Sequence, residues 1–94
     1  MTPDVAFLQR AIDRIDDELI LLLQQRFANS RQIGVIKRQA GQPPIDELRV
    51  VSQRTRFVNR CIDAGLDAAM SRQLVLVITE QVIAERLAQA SGSP

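Results

Sequence analysis

One long apolar pattern with helical spacing dominates the first half of this 94-residue chain. Residues 4–33 contain no glycine or proline, and the pattern resumes after Gly34. Apolar residues recur at alternating intervals of four and three, which is the spacing of one face of an α-helix. We call this face the first-helix stripe; it consists of Leu8, Ile12, Ile15, Leu19 and Leu22. Because the Pro43-Pro44 pair cannot continue a helix, we predict a first helix over about residues 4–39.

The remainder of the chain predicts two shorter helices, over about residues 45–64 and 67–90. Gly65 is a suitable C-terminal cap for the second helix, and Asp67 is a suitable N-terminal cap for the third. The predicted inward face of the third helix reads Leu74, Ile78, Gln81, Glu85 and Ala88. We therefore predict an all-α fold: a three-helix chain that forms one domain over residues 1–94.

The length of the first helix predicts an oligomer. About 36 helical residues span ~54 Å, whereas a compact monomer of this size has a diameter of roughly 30 Å. The first-helix stripe would then be exposed, and exposed apolar surfaces of that size mark interfaces. We expect a homodimer paired along the first helix. The alternative is a break at Gly34 that folds the last turn back.

Composition limits the classes of function. Twelve basic and eleven acidic residues nearly balance, and there are three Phe but no Trp or Tyr. This argues against a nucleic-acid partner. The chain has no His and a single Cys, Cys61, so we expect no metal site and no intrachain disulfide. No apolar run has transmembrane length, so we expect no membrane partner and a cytoplasmic location.

Two cations continue the first-helix stripe, where an unpaired charge would be costly. Arg26 and Lys37 follow in the same register, and Asp46 and Arg49, three residues apart, come after the proline loop. With Gln81 and Glu85 of the third helix, these residues form a mainly cationic inward set. Such a set suits a small dicarboxylate, since Arg binds carboxylates through two parallel hydrogen bonds. The alternative is a structural ion pair between Arg26 and Glu85.

Several segments resemble the all-helical chorismate mutases, a family that includes the isochorismate-pyruvate lyases. The resemblance covers about residues 7–88. It is carried by Leu8–Asp16, Glu18-Leu19-Ile20, Leu22-Leu23, Arg26, Ile33–Lys37, Pro43–Asp46 and Arg49. It implies an intertwined homodimer of three-helix chains and the one-step rearrangement of chorismate to prephenate, without cofactor or metal.

The resemblance also implies roles for single residues. Arg26 and Arg49 would hold carboxylates, with Asp46 and Gln81 also in the substrate site. Lys37 would donate to the ether oxygen as its C–O bond breaks. Glu85 falls where the family has a Gln or Glu that donates to the same oxygen. Because a Glu donates only when protonated, we expect activity to rise toward acidic pH.

Three residues depart from the family pattern. Gln9 stands where the family has an Arg that reaches the substrate across the dimer. Val50 replaces an acid that meets the ring hydroxyl, and Gln81 replaces a small hydroxyl residue. Despite these departures, the overall resemblance makes chorismate mutase the first interpretation. Isochorismate-pyruvate lyase, 4-amino-4-deoxychorismate mutase and a non-catalytic helical dimer that binds or regulates a partner protein remain open.

Overall fold

Three α-helices make up the regular structure of the chain. The computed structural model describes residues 2 and 4–92, and this part contains no strand. The helices are α1 (Val5–Gln39), α2 (Glu47–Asp63) and α3 (Ala68–Ala90). The predicted all-α, three-helix fold is confirmed, and each helix begins and ends within two residues of its predicted bounds. The alternative of a break at Gly34 is wrong, because α1 continues through this residue to Gln39.

Each helix begins at an aspartate side chain. The Asp4 Oδ1 atom accepts a hydrogen bond from the Phe7 amide at 2.7 Å. Asp46 and Asp67 do the same for α2 and α3, at 3.1 and 2.9 Å. An N-terminal turn has amides without helical acceptors, and a short carboxylate side chain satisfies one of them. These caps fix the starting points of all three helices.

Glycines with positive φ end α1 and α2. The Gly41 and Gly65 φ angles are 67° and 85°, in the left-handed region that glycine adopts without steric cost. At Gly65 the next amide, that of Leu66, bonds back to the Cys61 carbonyl at 2.9 Å. At Gly41 the Gln42 amide bonds to the Lys37 carbonyl, also at 2.9 Å. Both ends are Schellman motifs, so the end of α1 at the residues before Pro43 has a defined geometry.

The chain divides into two compact units, Met1–Ser30 and Arg31–Pro94. In the first unit no described residue is fully buried. The five members of the first-helix stripe are between 49% and 60% exposed in the single chain. The expected exposure of this stripe is therefore confirmed, while the single domain and the homodimer stay predictions.

The second unit has a small core where α2 packs against α3. The buried apolar residues on these helices include Cys61, Val75 and Ile78. Ser71 and Thr79 of α3 are also buried, and their hydroxyls donate to the carbonyls of Asp67 and Val75 at 2.6 and 2.8 Å. Bonded in this way, small polar side chains can lie in a core without cost.

The buried face of α3 differs from the predicted one. Ile78 is buried as predicted, but Leu74 is 43% exposed and Gln81 is exposed. The observed face runs through Ser71, Val75 and Thr79 instead. It is rotated by one residue, or about 100° around the helix, from the predicted face. In the described part of the chain, none of the helices has the length and apolar character needed to cross a membrane.

Candidate functional site

A cavity of about 260 Å³ lies within the second unit. Small-molecule sites in proteins have volumes from roughly 300 Å³ upward. The volume of this open cavity is close to that lower limit, so the cavity suits a compact ligand. The end of α1, the proline loop, the first turns of α2 and the second half of α3 surround it. The lining residues are Ile33, Lys37, Pro44, Ile45, Asp46, Arg49, Val50, Gln53, Val82, Ile83 and Arg86.

Three predicted site residues meet in this cavity: Lys37, Asp46 and Arg49. Lys37 lies in the last turn of α1, where the Gln42 amide binds its carbonyl. Arg49 lies in the first turn of α2, and its amide binds the Asp46 carboxylate. The helix ends described above therefore hold the backbones of all three residues.

Arg86 of α3 also lines the cavity, although it was not among the residues predicted from the sequence. Its Nη1 atom donates to the Pro44 carbonyl at 3.2 Å. Burial lowers the pKa of the Arg86 guanidinium from its ordinary value, because a cation loses hydration there. An arginine nevertheless remains charged in a protein. The signal was present in the sequence, since Arg86 follows Ile78 and Val82 at intervals of four.

The charge of the cavity favours an anion. Among the described residues of the lining, Lys37, Arg49 and Arg86 are cations and Asp46 is the one carboxylate. One oxygen of that carboxylate already accepts the Arg49 amide. Apolar side chains form much of the remaining wall, and a wall with few dipoles strengthens the attraction between a cation and an anion. The apolar members are Ile33, Ile45, Val50, Val82 and Ile83.

The two other predicted residues of α3 do not line this cavity. Gln81 is exposed. The Glu85 Oε1 atom accepts from the Arg31 Nε at 3.0 Å, in an ion pair whose side chains are 23% and 54% exposed. The Glu85 Oε2 atom is buried and has no hydrogen-bond partner among the described residues. Glu85 thus pairs with Arg31 in this structure, and the roles of Gln81 and Glu85 in the site stay predictions.

Gln9 and Arg26 lie on α1 within the first unit. Gln9 is exposed and Arg26 is half-buried. Their predicted contacts with a substrate stay predictions. Within residues 2 and 4–92, no group of three or more Cys, Asp or Glu side chains comes together in a way that could hold a metal ion.

An all-helical chain with a small cavity lined by three cations has the features of a protein that binds a compact anion. The chain belongs to the chorismate mutase type II family, whose family model matches residues 8–91. A comparison with curated proteins finds no match. The resemblance inferred from the sequence is therefore confirmed at the level of the family.

Proposed function

We propose that this protein is a chorismate mutase, which converts chorismate to prephenate in the biosynthesis of aromatic amino acids. One observation carries the proposal: in a chain of this family, Lys37, Arg49 and Arg86 line one cavity of about 260 Å³. Chorismate is a compact dicarboxylate, so its charge and size suit this cavity. We expect the reaction to occur in the cytoplasm, and no cofactor or metal is part of the proposal.

The proposed reaction needs no nucleophile and no proton transfer. The ether C–O bond breaks while a C–C bond forms between the enolpyruvyl group and the ring, and the ether oxygen becomes a ketone oxygen. Negative charge grows on that oxygen in the transition state, so a fixed cation beside it lowers the barrier. In the proposed site, Arg49 binds a carboxylate and Lys37 donates to the ether oxygen. The apolar wall holds the enolpyruvyl group over the ring, which removes orientational entropy.

A homodimer is part of this proposal. The exposure of the first-helix stripe supports it, because apolar surface of that extent is stabilised when a second copy covers it. In such a dimer Gln9 would reach the substrate from the partner subunit, as the resemblance implies. A glutamine there supplies a neutral hydrogen bond where the family has a cation.

One observation favours a related substrate. Val50 lines the cavity, and this is the position where the family has an acid that meets the ring hydroxyl. An apolar side chain neither binds nor repels a hydroxyl strongly. Isochorismate, cleaved to salicylate and pyruvate, and 4-amino-4-deoxychorismate are therefore the second candidates.

Product identification tests the proposal. We would incubate the purified protein separately with chorismate, isochorismate and 4-amino-4-deoxychorismate, and identify the products by chromatography and mass spectrometry. Faster formation of prephenate from chorismate than in buffer alone is the expected result. Salicylate with pyruvate, or turnover of the amino analogue alone, would move the assignment to a relative. A folded protein that accelerates none of these reactions would leave a non-catalytic binding protein.

A further inference from the structure

Arg86 is a cation in the cavity for which the family resemblance gives no role. The resemblance implies that the third helix contributes an uncharged donor or a protonated acid, and it assigns this task to Glu85. The structure instead turns Arg86 toward the cavity and pairs Glu85 with Arg31.

Two of the contacts of the Arg86 side chain hold it between α1 and the proline loop. Its aliphatic stem passes Gly34 of α1 so closely that a Cβ atom on Gly34 would lie 3.0 Å from the Arg86 Cδ. Its Nη1 atom then reaches the Pro44 carbonyl at 3.2 Å. A guanidinium has five N–H donors in a rigid plane, so it can bind a main-chain oxygen and a ligand at the same time. A cation held at two points needs little reorganisation when charge develops beside it.

We propose that Arg86 donates a hydrogen bond to the ether oxygen of chorismate, together with Lys37 and in the place predicted for Glu85. This inference rests on the proposed function. Arg86 and Lys37 reach the cavity from α3 and α1, whereas Arg49 enters from the start of α2. The bond to the ether oxygen strengthens as the C–O bond breaks, and Arg86 keeps all its protons throughout. Unlike a glutamate, it needs no acidic pH to act as a donor.

The first test compares kcat and KM for chorismate in the parent protein, Arg86→Met and Arg86→Lys. Methionine keeps an unbranched apolar stem beside Gly34 and removes the charge. Loss of one preorganised donor typically lowers kcat by about 10²–10³-fold, so we expect a fall of that order with a much smaller change in KM. Arg86→Lys keeps a cation and should recover part of kcat.

Arg38→Met is the matched control. Arg38 is exposed, does not line the cavity, and its Nη2 donates to the Gly92 carbonyl at 2.9 Å, much as Arg86 binds Pro44. Its loss removes an arginine–carbonyl bond without removing a cavity cation, so kcat should stay at the parent value. Circular dichroism checks that each variant is folded. If Arg86→Met is not, Arg86→Leu replaces it, because leucine favours a helix and cannot donate a hydrogen bond.

Two results would overturn the inference. One is a folded Arg86→Met or Arg86→Leu variant with kcat within about threefold of the parent, far from the loss expected of a transition-state donor. The other is a raised KM with unchanged kcat, because this pattern describes a group that binds ground state and transition state equally.

A separate measurement applies if the parent protein does not turn over chorismate. In that case the proposed function has failed, and calorimetric titration of chorismate into the parent and Arg86→Met tests the contact alone. Binding at least tenfold weaker in the variant, the loss expected for one charged hydrogen bond, would support the contact. Equal binding, or no binding by the parent, would overturn it.

Discussion

Lys37, Arg49 and Arg86, the three cavity cations, come from three different helices. Hydrogen bonds that involve main-chain atoms hold each of them in place. The Lys37 carbonyl is an acceptor in the Schellman motif that ends α1, and the Arg49 amide donates to the cap of α2. Arg86 of α3 bonds to the loop between these helices. Bringing like charges together costs free energy in the empty protein. A dianionic ligand removes this cost, so the cavity should bind dicarboxylates more tightly than monocarboxylates.

Removal of the Lys37 charge should chiefly reduce the rate. In Lys37→Met the apolar stem remains, but the ether oxygen loses the lysine as a donor. We expect kcat to fall by about 10²–10³-fold, as measured by the disappearance of chorismate absorbance. Lys37→Arg should retain more activity than Lys37→Met. Parent-like kcat in folded Lys37→Met would contradict the role proposed for this lysine.

The pH profile separates the two possible donors of α3. The charged groups that face Arg86 in the cavity are Lys37, Asp46 and Arg49. Because a guanidinium stays protonated, a site that uses Arg86 should show no rise in kcat between about pH 8 and pH 5 beyond roughly twofold. Steady-state assays in constant-ionic-strength buffers measure this. A tenfold rise toward acid that Glu85→Gln removes would support the donor predicted from the sequence and contradict the Arg86 assignment.

The sequence predicted Lys37, Asp46 and Arg49 in the cavity because turn-forming residues fix their register. Pro43 and Pro44 end one helix, and Asp46 begins the next, so few arrangements were possible. Arg86 was missed because the third helix is apolar on most sides, which leaves its inward face poorly defined. Buried Ser71 and Thr79 made this harder, since hydroxyls that bond to their own helix do not look like core residues in a sequence.

At the level of helices, the aspartate caps of α2 and α3 differ in their position relative to the cavity. Asp46 caps α2 and also lines the cavity, whereas Asp67 caps α3 and does not line it. A cap is a local interaction, so its contribution to stability should be similar at the two sites. The contributions to substrate binding should differ, because only Asp46 lines the cavity. This pair of residues therefore separates stability from function.

We expect Asp46→Ala and Asp67→Ala each to lower the free energy of unfolding by about 1 kcal/mol, the usual value of an N-cap. Urea denaturation followed by circular dichroism measures this loss. Asp46→Ala should also change KM for chorismate, since it removes the carboxylate from a cationic cavity. Asp67→Ala should leave KM unchanged at temperatures where it is folded. Equal effects on KM would mean that Asp46 acts only through the stability of α2.

On the scale of the whole molecule, the first-helix stripe is an apolar surface that the single chain leaves exposed to solvent. Leu19 is the fourth of its five residues and is 53% exposed in the single chain. The length and spacing of α1 were predictable because a strong pattern ran between clear start and stop signals. The surface that covers the stripe was not predictable. A periodic apolar face indicates that it will be buried, but it does not indicate which surface buries it.

Leu19→Lys should dissociate the proposed homodimer. A lysine in the middle of an apolar interface must lose its hydration, and we expect the dissociation constant to rise at least about 100-fold, equivalent to roughly 3 kcal/mol. Sedimentation equilibrium measures it. Gln24→Lys is the control, because it adds the same charge about 140° around the helix from position 19. A parent protein that sediments as a monomer at all concentrations would rule out the dimer.

The bond between Arg86 and Pro44 makes the two residues unequal under mutation. Arg86 contributes a side-chain donor, which any substitution removes or alters, whereas Pro44 contributes a main-chain oxygen that every amino acid carries. In a library of all single substitutions selected for growth without added aromatic amino acids, position 86 should therefore tolerate few residues. Position 44 should accept many more, as long as the loop keeps its path. This bond would thus restrict the amino acids tolerated at position 86 while allowing position 44 to vary.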